Sequence, residues 1–245
     1  MSGHSKWNNI KRKKEKSDAQ RAKVFTKIGK EISIAIKEGG ADPASNSKLR
    51  DLIAKAKSNN VPNDNIDRII KKAAGETDVE YEELYYEGYG PSGVAVIVYT
   101  TTDNRNRTAS DMRHYFDKYG GNLGQTGCVS FMFEDKGHIV IVDEDEKINE
   151  DELMEAALEA GAEDFRGEDG VYEIFTDVSD LGAVREALES KGYTLESAEK
   201  DKIPSTYVTL SDEEDIRHMN LLLEHLEDND DVQEVYHNWE NCDDN

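Results

Sequence analysis

The 245-residue chain carries 30 Lys plus Arg against 53 Asp plus Glu, a formal net charge of −23. That average hides two electrostatic objects, because residues 1–75 hold 18 basic and 8 acidic side chains (net +10) and residues 76–245 hold 12 and 45 (net −33). A hydrophobic content of 36% supports several modest cores, no apolar run approaches the ~20 residues of a membrane span, and Cys128 and Cys242 form neither a disulfide scaffold nor a CxxC zinc pair. A soluble protein of a reducing cytosol is expected.

A basic arm comes first, GHSKWNNIKRKKEK from Gly3 to Lys16, with no hydrophobic periodicity. Alone it is expected to be flexible. Ser17 and Gln20 make a capping box, and Gly39-Gly40 supplies a stop, so a helix is predicted from about Asp18 to Glu38. Its winding gathers Phe25, Ile28, Ile32, Ala35 and Ile36 on one side and Lys16, Lys23, Lys27, Lys30 and Lys37 roughly opposite. One face packs and the other is cationic, with Ile34 the exception. Asp42-Pro43 reads as an N-cap and first-turn pair before Leu49, Leu52, Ile53 and Ala56. Pro62-Asn63 starts a third helix carrying Ile66, Ile69, Ile70 and Ala73, ended by Gly75. Three short amphipathic helices of this size sit near the lower limit for independent folding, so the bundle is expected to lean on the rest of the protein or on a ligand.

From Glu76 the period changes to strands interleaved with helices. Strands are predicted at Tyr81–Tyr86, Val94–Thr101 and Cys128–Phe133, with a helix from Asn106 to Tyr119. A second series runs strand His138–Val142, helix Glu150–Glu159, strand Val171–Thr176, helix Asp180–Ser190 and strand Thr194–Ala198. The chain finishes with strand Thr206–Leu210, helix Glu213–Leu226 and strand Val232–His237. This order predicts an α+β protein: an N-terminal three-helix domain followed by two ferredoxin-like α/β domains, one inserted in the other. The expected boundaries are an arm over 1–16, a helical domain over 17–78, a discontinuous α/β domain over 79–134 plus 205–245, and an inserted domain over 135–204.

No set of residues reads as a catalytic centre. His218 and His225 share a helix but lack evident carboxylate partners for a metal. Asp143, Glu144 and Asp145 resemble a calcium loop only in charge and read as a solvated turn. Gly120, Gly121 and Gly124 follow a helix and precede a strand, the reverse of a dinucleotide-binding fingerprint. No catalytic residue, metal or cofactor is therefore assigned.

Two features suit a polyanion. In the arm and first helix, His4, Lys6, Lys11, Arg12, Lys13, Lys14, Lys16, Arg21, Lys23, Lys27 and Lys30 place basic groups near Trp7, Asn8 and Asn9. Cations release counterions from a phosphate backbone and an indole can stack on a base; the plainer reading is a solvated charge run with Trp7 clipped onto the bundle. In Thr101–Arg113, Arg105 and Arg107 lie where a strand hands over to a helix, and offer forked donors for phosphate beside a helix N-terminus. Ion pairing with Asp103 and Asp111 is the alternative there.

The segments GHSKWNNIKRKKEKSDAQRAKVFTKIGKEI (Gly3–Ile32), NVPNDNIDRIIKKAAG (Asn60–Gly75), TDNRNRT (Thr102–Thr108) and GGNLGQTGCVSFMF (Gly120–Phe133) together resemble the YebC family. That family includes bacterial probable transcriptional regulators and the mitochondrial translational activator of cytochrome oxidase subunit one. Ser92 stands where glycine is common, and Cys128 where serine is common. The resemblance implies a helical domain followed by two α/β domains, no catalysis, and a regulatory role in the cytoplasm; the Met-Ser-Gly-His start favours a bacterial member. It also implies DNA as the partner in transcription, with a ribosome-associated translation factor acting on ribosomal RNA as the alternative. A protein partner on the acidic domains is the third reading.

Overall fold

The computed structural model describes residues 18–75, 79–143 and 147–241, with side chains from residue 23 onward. The arm and the Ser17 cap lie outside these residues, as do Glu144 and Asp145. Helix α1 (Asp18–Gly39) is followed by α2 (Ser47–Ser58) and α3 (Asn63–Ala74). Ile28, Ile32, Ala35 and Ile36 of α1 pack with Leu49, Leu52 and Ala56 of α2, with Val61 and with Ile66 of α3. The cap of α2 differs from expectation: Asn46, not Asp42, accepts from the Leu49 amide at 3.0 Å. Its side-chain amide also donates to the carbonyls of Ala35 (2.7 Å) and Gly40 (2.8 Å), so one residue closes two helix ends. The cationic side of α1 is not simply solvated either. Ile34 is buried, and α1 lies against two strands of the sheet that follows.

That sheet contains β1 (Glu82–Tyr89), β2 (Ala95–Thr102), β3 (Asn122–Leu123) and β8 (Val232–His237) in the order β3-β1-β2-β8. Helix α4 (Arg105–Lys118) leaves β2 and α7 (Glu213–Asp228) enters β8. Val94, Val96 and Val98 meet Met112, Phe116, Met219, Leu222, Leu223, Leu226 and Trp239 on one face. Ala95 and Ile97 are buried with Val129 on the other. Apolar side chains on both faces explain the unbroken run AVIV in the sheet interior. In space this is a ferredoxin-like order, although β1 comes first in the chain and pairs as a hairpin with β2 from Glu82↔Thr102 to Tyr89↔Ala95.

Glu134–Ile203 forms a separate compact unit. It contains most of β4 (Phe133–Val142), then α5 (Glu150–Ala160), β5 (Asp164–Glu168), β6 (Val171–Thr176), α6 (Leu181–Ser190) and β7 (Ser197–Pro204), with sheet order β5-β6-β4-β7. This βαββαβ connectivity is ferredoxin-like, and Ile139, Ile141, Leu153, Ala157, Ile174, Val184 and Leu188 form its core.

Three strand expectations change. Cys128–Phe133 is a loop with a short 3₁₀ turn at Ser130–Met132, and the strand starts only at Phe133. Thr206–Leu210 reduces to one parallel bridge between Val208 and Trp239. The charged edge strand β5 was not expected, and the last strand of this unit is displaced from 194–198 to Ser197–Pro204.

Candidate nucleic-acid interface

Of the cations expected to meet phosphate, His4 to Lys16, with Trp7, Asn8 and Asn9 among them, lie outside the described residues. Arg21 belongs to α1, but its side chain is outside them as well. The lysines further along α1 meet protein. Lys23 donates to the Asp228 carbonyl at 3.1 Å and to its carboxylate at 2.5 Å. Lys27 donates to the Glu227 carbonyl at 2.7 Å, and Lys30 to the Asp230 carbonyl at 2.8 Å. These carbonyls belong to the end of α7 and the turn after it, where backbone acceptors lack helical donors and the helix dipole is negative. Three lysines spaced along one side of α1 therefore cap another helix.

The deepest of these contacts is at Asp231, which sits between α7 and β8. Its carboxylate accepts from Lys30 at 2.8 Å, Arg107 at 2.7 Å, Thr108 at 2.8 Å and Thr102 at 3.1 Å. Burial by itself would raise this carboxyl, but hydrogen bonds from Lys30, Arg107 and Thr108 outweigh it and hold its pKa down at about 2. Arg107 also pairs with Asp103 at 2.8 Å. The ion-pair alternative thus describes Arg107, though with Asp231 as the main partner and not Asp111. Asn104 caps α4 by accepting from the Arg107 amide at 3.1 Å. Arg105, at the first position of α4, is exposed, and no ion pair holds it among the described residues.

Two further ionic links join the helices to the sheet. Lys48 bridges Glu38 (3.1 Å) and Glu83 (2.9 Å), and Glu83 accepts from the Tyr99 hydroxyl at 2.7 Å. Lys55 bridges Glu31 (3.2 Å) and Glu234 (3.3 Å). Lys48 and Lys55 of α2 thus tie the helices to acids of β1 and β8.

The glycine run after α4 serves packing. Gly120 takes φ of +74° as the chain leaves the helix, and a Cβ on Gly121 would come within 2.6 Å of the Tyr89 carbonyl. Beyond it, buried Glu87 on β1 accepts from the amides of Gly127 (2.8 Å), Val129 (2.9 Å) and Ser130 (2.8 Å). Burial would raise this carboxyl, but the backbone hydrogen bonds prevail and lower it. Sequence reasoning missed Glu87 because it is one acid among 53, and nothing in the pattern EELYYEGY marks it as the buried one. His225 contacts the Tyr119 hydroxyl and the Leu221 carbonyl, and Asp143 accepts from the Ile148 amide at 2.6 Å. Among the described residues no group of three or more His, Cys, Asp or Glu is placed to hold a metal ion, and no helix is long and apolar enough to cross a membrane.

A three-helix segment salted onto a split α/β sheet, with a second ferredoxin-like unit inserted, defines a multidomain α+β protein without an evident reaction centre among the described residues. The profile of the TACO1/YebC protein N-terminal domain matches residues 5–76, and that of the TACO1/YebC second and third domain matches residues 81–239. The chain belongs to the TACO1/YebC family. A probable transcriptional regulatory protein of Ruminiclostridium cellulolyticum is 61% identical over 100% of this chain and 99% of its own length. Another, of Acetivibrio thermocellus, is 60% identical over 98% and 99%. The crystal structure of a conserved hypothetical protein from Aquifex aeolicus superposes with a TM-score of 0.82 at 47% identity, covering 92% of each chain.

Proposed function

We propose that this chain is a non-enzymatic cytoplasmic regulator that binds DNA through its basic arm and acts on transcription. The observation that carries the reading is how cation is distributed. Lys23, Lys27, Lys30 and Arg107 are engaged by carbonyls and carboxylates of the fold, whereas His4, Lys6, Lys11, Arg12, Lys13, Lys14 and Lys16 are concentrated ahead of it in a chain of net −23. Such a cluster supplies phosphate neutralisation, and the acidic remainder repels a polyanion from most other surfaces, so that contact centres on the arm. The names of the relatives, probable transcriptional regulatory proteins, agree with this role. Arg105 is the additional contact, at the N-terminus of α4. In this proposal the arm (1–16) and helical domain (17–78) form the binding end, and the α/β domains (79–134 with 205–245, and 135–204) carry and orient it.

A photo-crosslinking amino acid at Lys11 tests the reading in cells. Recovery of chromosomal DNA supports it. Recovery of ribosomal RNA, with co-sedimentation of the protein with ribosomes, transfers the same arm to a translation factor that reads structured RNA. Crosslinks to protein alone reject both.

A further inference from the structure

Tyr119–Phe133 contains no Asp, Glu, Lys or Arg, in a chain that is 34% charged. Within it Phe131 is 76% exposed, more than any other large hydrophobic side chain among the described residues. Leaving a phenyl ring in water forfeits the free energy of its burial, and this ring is not on a loose loop. The backbone around it is clamped from two sides. Glu87 holds the amides of Val129 and Ser130 just before it, and the Met132 carbonyl just after it accepts from Ser205, from the amide at 2.8 Å and the hydroxyl at 3.0 Å. Val129 is wholly buried, and Met132 and Phe133 pack against the same cluster. The rest of the segment hangs from the same stretch of β1: Gly124 donates to the Glu87 carbonyl at 2.8 Å, Gly88 pairs with Leu123 and Tyr89 with Asn122. Asn122, Gln125 and Thr126 are exposed on it.

We propose that Phe131, with the exposed amide and hydroxyl groups of Asn122, Gln125 and Thr126, forms a site for an unpaired nucleobase of single-stranded nucleic acid. A ring carried on a clamped backbone offers a stacking face, and the amides of the same uncharged segment offer donors and acceptors to base edges. Charge favours this occupant. A strand carrying phosphates is repelled by most of a surface of net −33 but not by a segment of fifteen uncharged residues. An apolar protein pocket would instead call for an apolar rim around Phe131, whereas the exposed neighbours in the segment are polar. Glu87, which holds the segment from within, is buried and hydrogen-bonded inward, so it presents no charge to the strand; the carboxylates nearest in the chain, Glu134 and Asp135, follow Phe133 and are paired with Lys136 (3.7 Å) and Lys202 (2.6 Å).

The inference rests on the nucleic-acid reading above, and adds that the target presents unpaired bases. The test uses full-length protein with fluorescein-labelled single strands and duplexes of equal length and sequence, in DNA and RNA forms, some carrying 2-aminopurine. Phe131→Ala is expected to weaken single-strand binding by roughly 10-fold or more, in keeping with the loss of one base stack, to abolish 2-aminopurine quenching, and to leave duplex binding and thermal midpoint unchanged. Phe131→Trp restores the quenching. Equal single-strand affinity of the wild type and Phe131→Ala overturns the inference while leaving the arm's role standing; so does a loss shared equally by duplex. Failure of the wild type to bind any of the four probes overturns both readings. Loss of a protein partner alone on Phe131→Ala assigns the ring to a protein pocket and also overturns it.

Discussion

Replacing Asp231 by Asn removes one charge from a site where four donors converge while keeping the side chain's shape. Asp231 and Lys30 are 5% and 11% exposed at the side chain, so the variant leaves Lys30 in a poorly solvated place with no carboxylate beside it. The carboxyl is held at about 2 against an ordinary 3.8; at about 1.4 kcal/mol per unit this amounts to about 2.5 kcal/mol of stability at neutral pH. Breaking one half of a buried pair costs about 3–5 kcal/mol, so a loss of about 3 kcal/mol is expected. Because the folded-state pKa is depressed, the contribution is complete above the ordinary carboxyl range and fades as pH falls toward 2. About half of it should be gone at pH 3. Urea denaturation followed by Trp239, buried at 1% exposure in this unit, measures it in a Trp7→Phe background. A double-mutant cycle with Lys30→Met separates the pair from the remaining bonds. A variant within about 0.5 kcal/mol of the parent at pH 7, or a deficit that does not shrink between pH 7 and pH 3, refutes the reasoning.

Other perturbations have equally direct readouts. Glu87→Gln should lose about 1–3 kcal/mol, because backbone donors that meet a carboxylate are left with a weaker acceptor, and hydrogen exchange at Gly127, Val129 and Ser130 should accelerate; unchanged protection there counts against the clamp. His138 is buried beside Asp201 (2.9 Å) and Glu173 (3.1 Å) and stacks on Phe175, over whose ring the Arg166 guanidinium also lies at 4.8 Å. Burial opposes its charge, but the two carboxylates prevail and raise its pKa. Its stabilisation is therefore complete below the ordinary imidazole range and lost as pH rises through the raised value, so the inserted unit should melt lower at pH 9 than at pH 6, and His138→Gln should flatten that difference. Gly121→Ala sets a methyl against the Tyr89 carbonyl and should destabilise by about 1–3 kcal/mol; a neutral result in thermal unfolding would count against that close approach.

The helices were legible because each carries its own spacing of apolar residues and its own stop, as Ile66, Ile69, Ile70 and Gly75 do in α3. What local pattern could not show is which distant group takes a backbone donor. Cys128–Phe133 has strand-forming residues, yet Glu87 takes the Val129 and Ser130 amides, and the Met132 amide turns back to the Val129 carbonyl, so no ladder forms there. Thr206–Leu210 has strand-forming residues but reaches its neighbour beyond the end of β8, where only Val208 and Trp239 bridge. β5, DFRGE, hides because an exposed edge strand needs no apolar alternation. Among the site residues, the cationic stripe of α1 was visible and its purpose was not. A lysine opposite an apolar face looks the same whether it awaits phosphate or caps a helix 200 positions later in the chain, as Lys27 does with Glu227.

The salt dependence of duplex binding tests the central claim most directly. With Lys23, Lys27 and Lys30 engaged by the fold, six Lys and Arg remain in the arm: Lys6, Lys11, Arg12, Lys13, Lys14 and Lys16. If all six meet phosphates, the log-log slope of affinity against salt is roughly −5. Neutralising them should bring it near zero, while Lys23→Ala should change stability and leave the slope alone. A full-length slope near zero, or one that falls with Lys23 and not with the arm, contradicts the account.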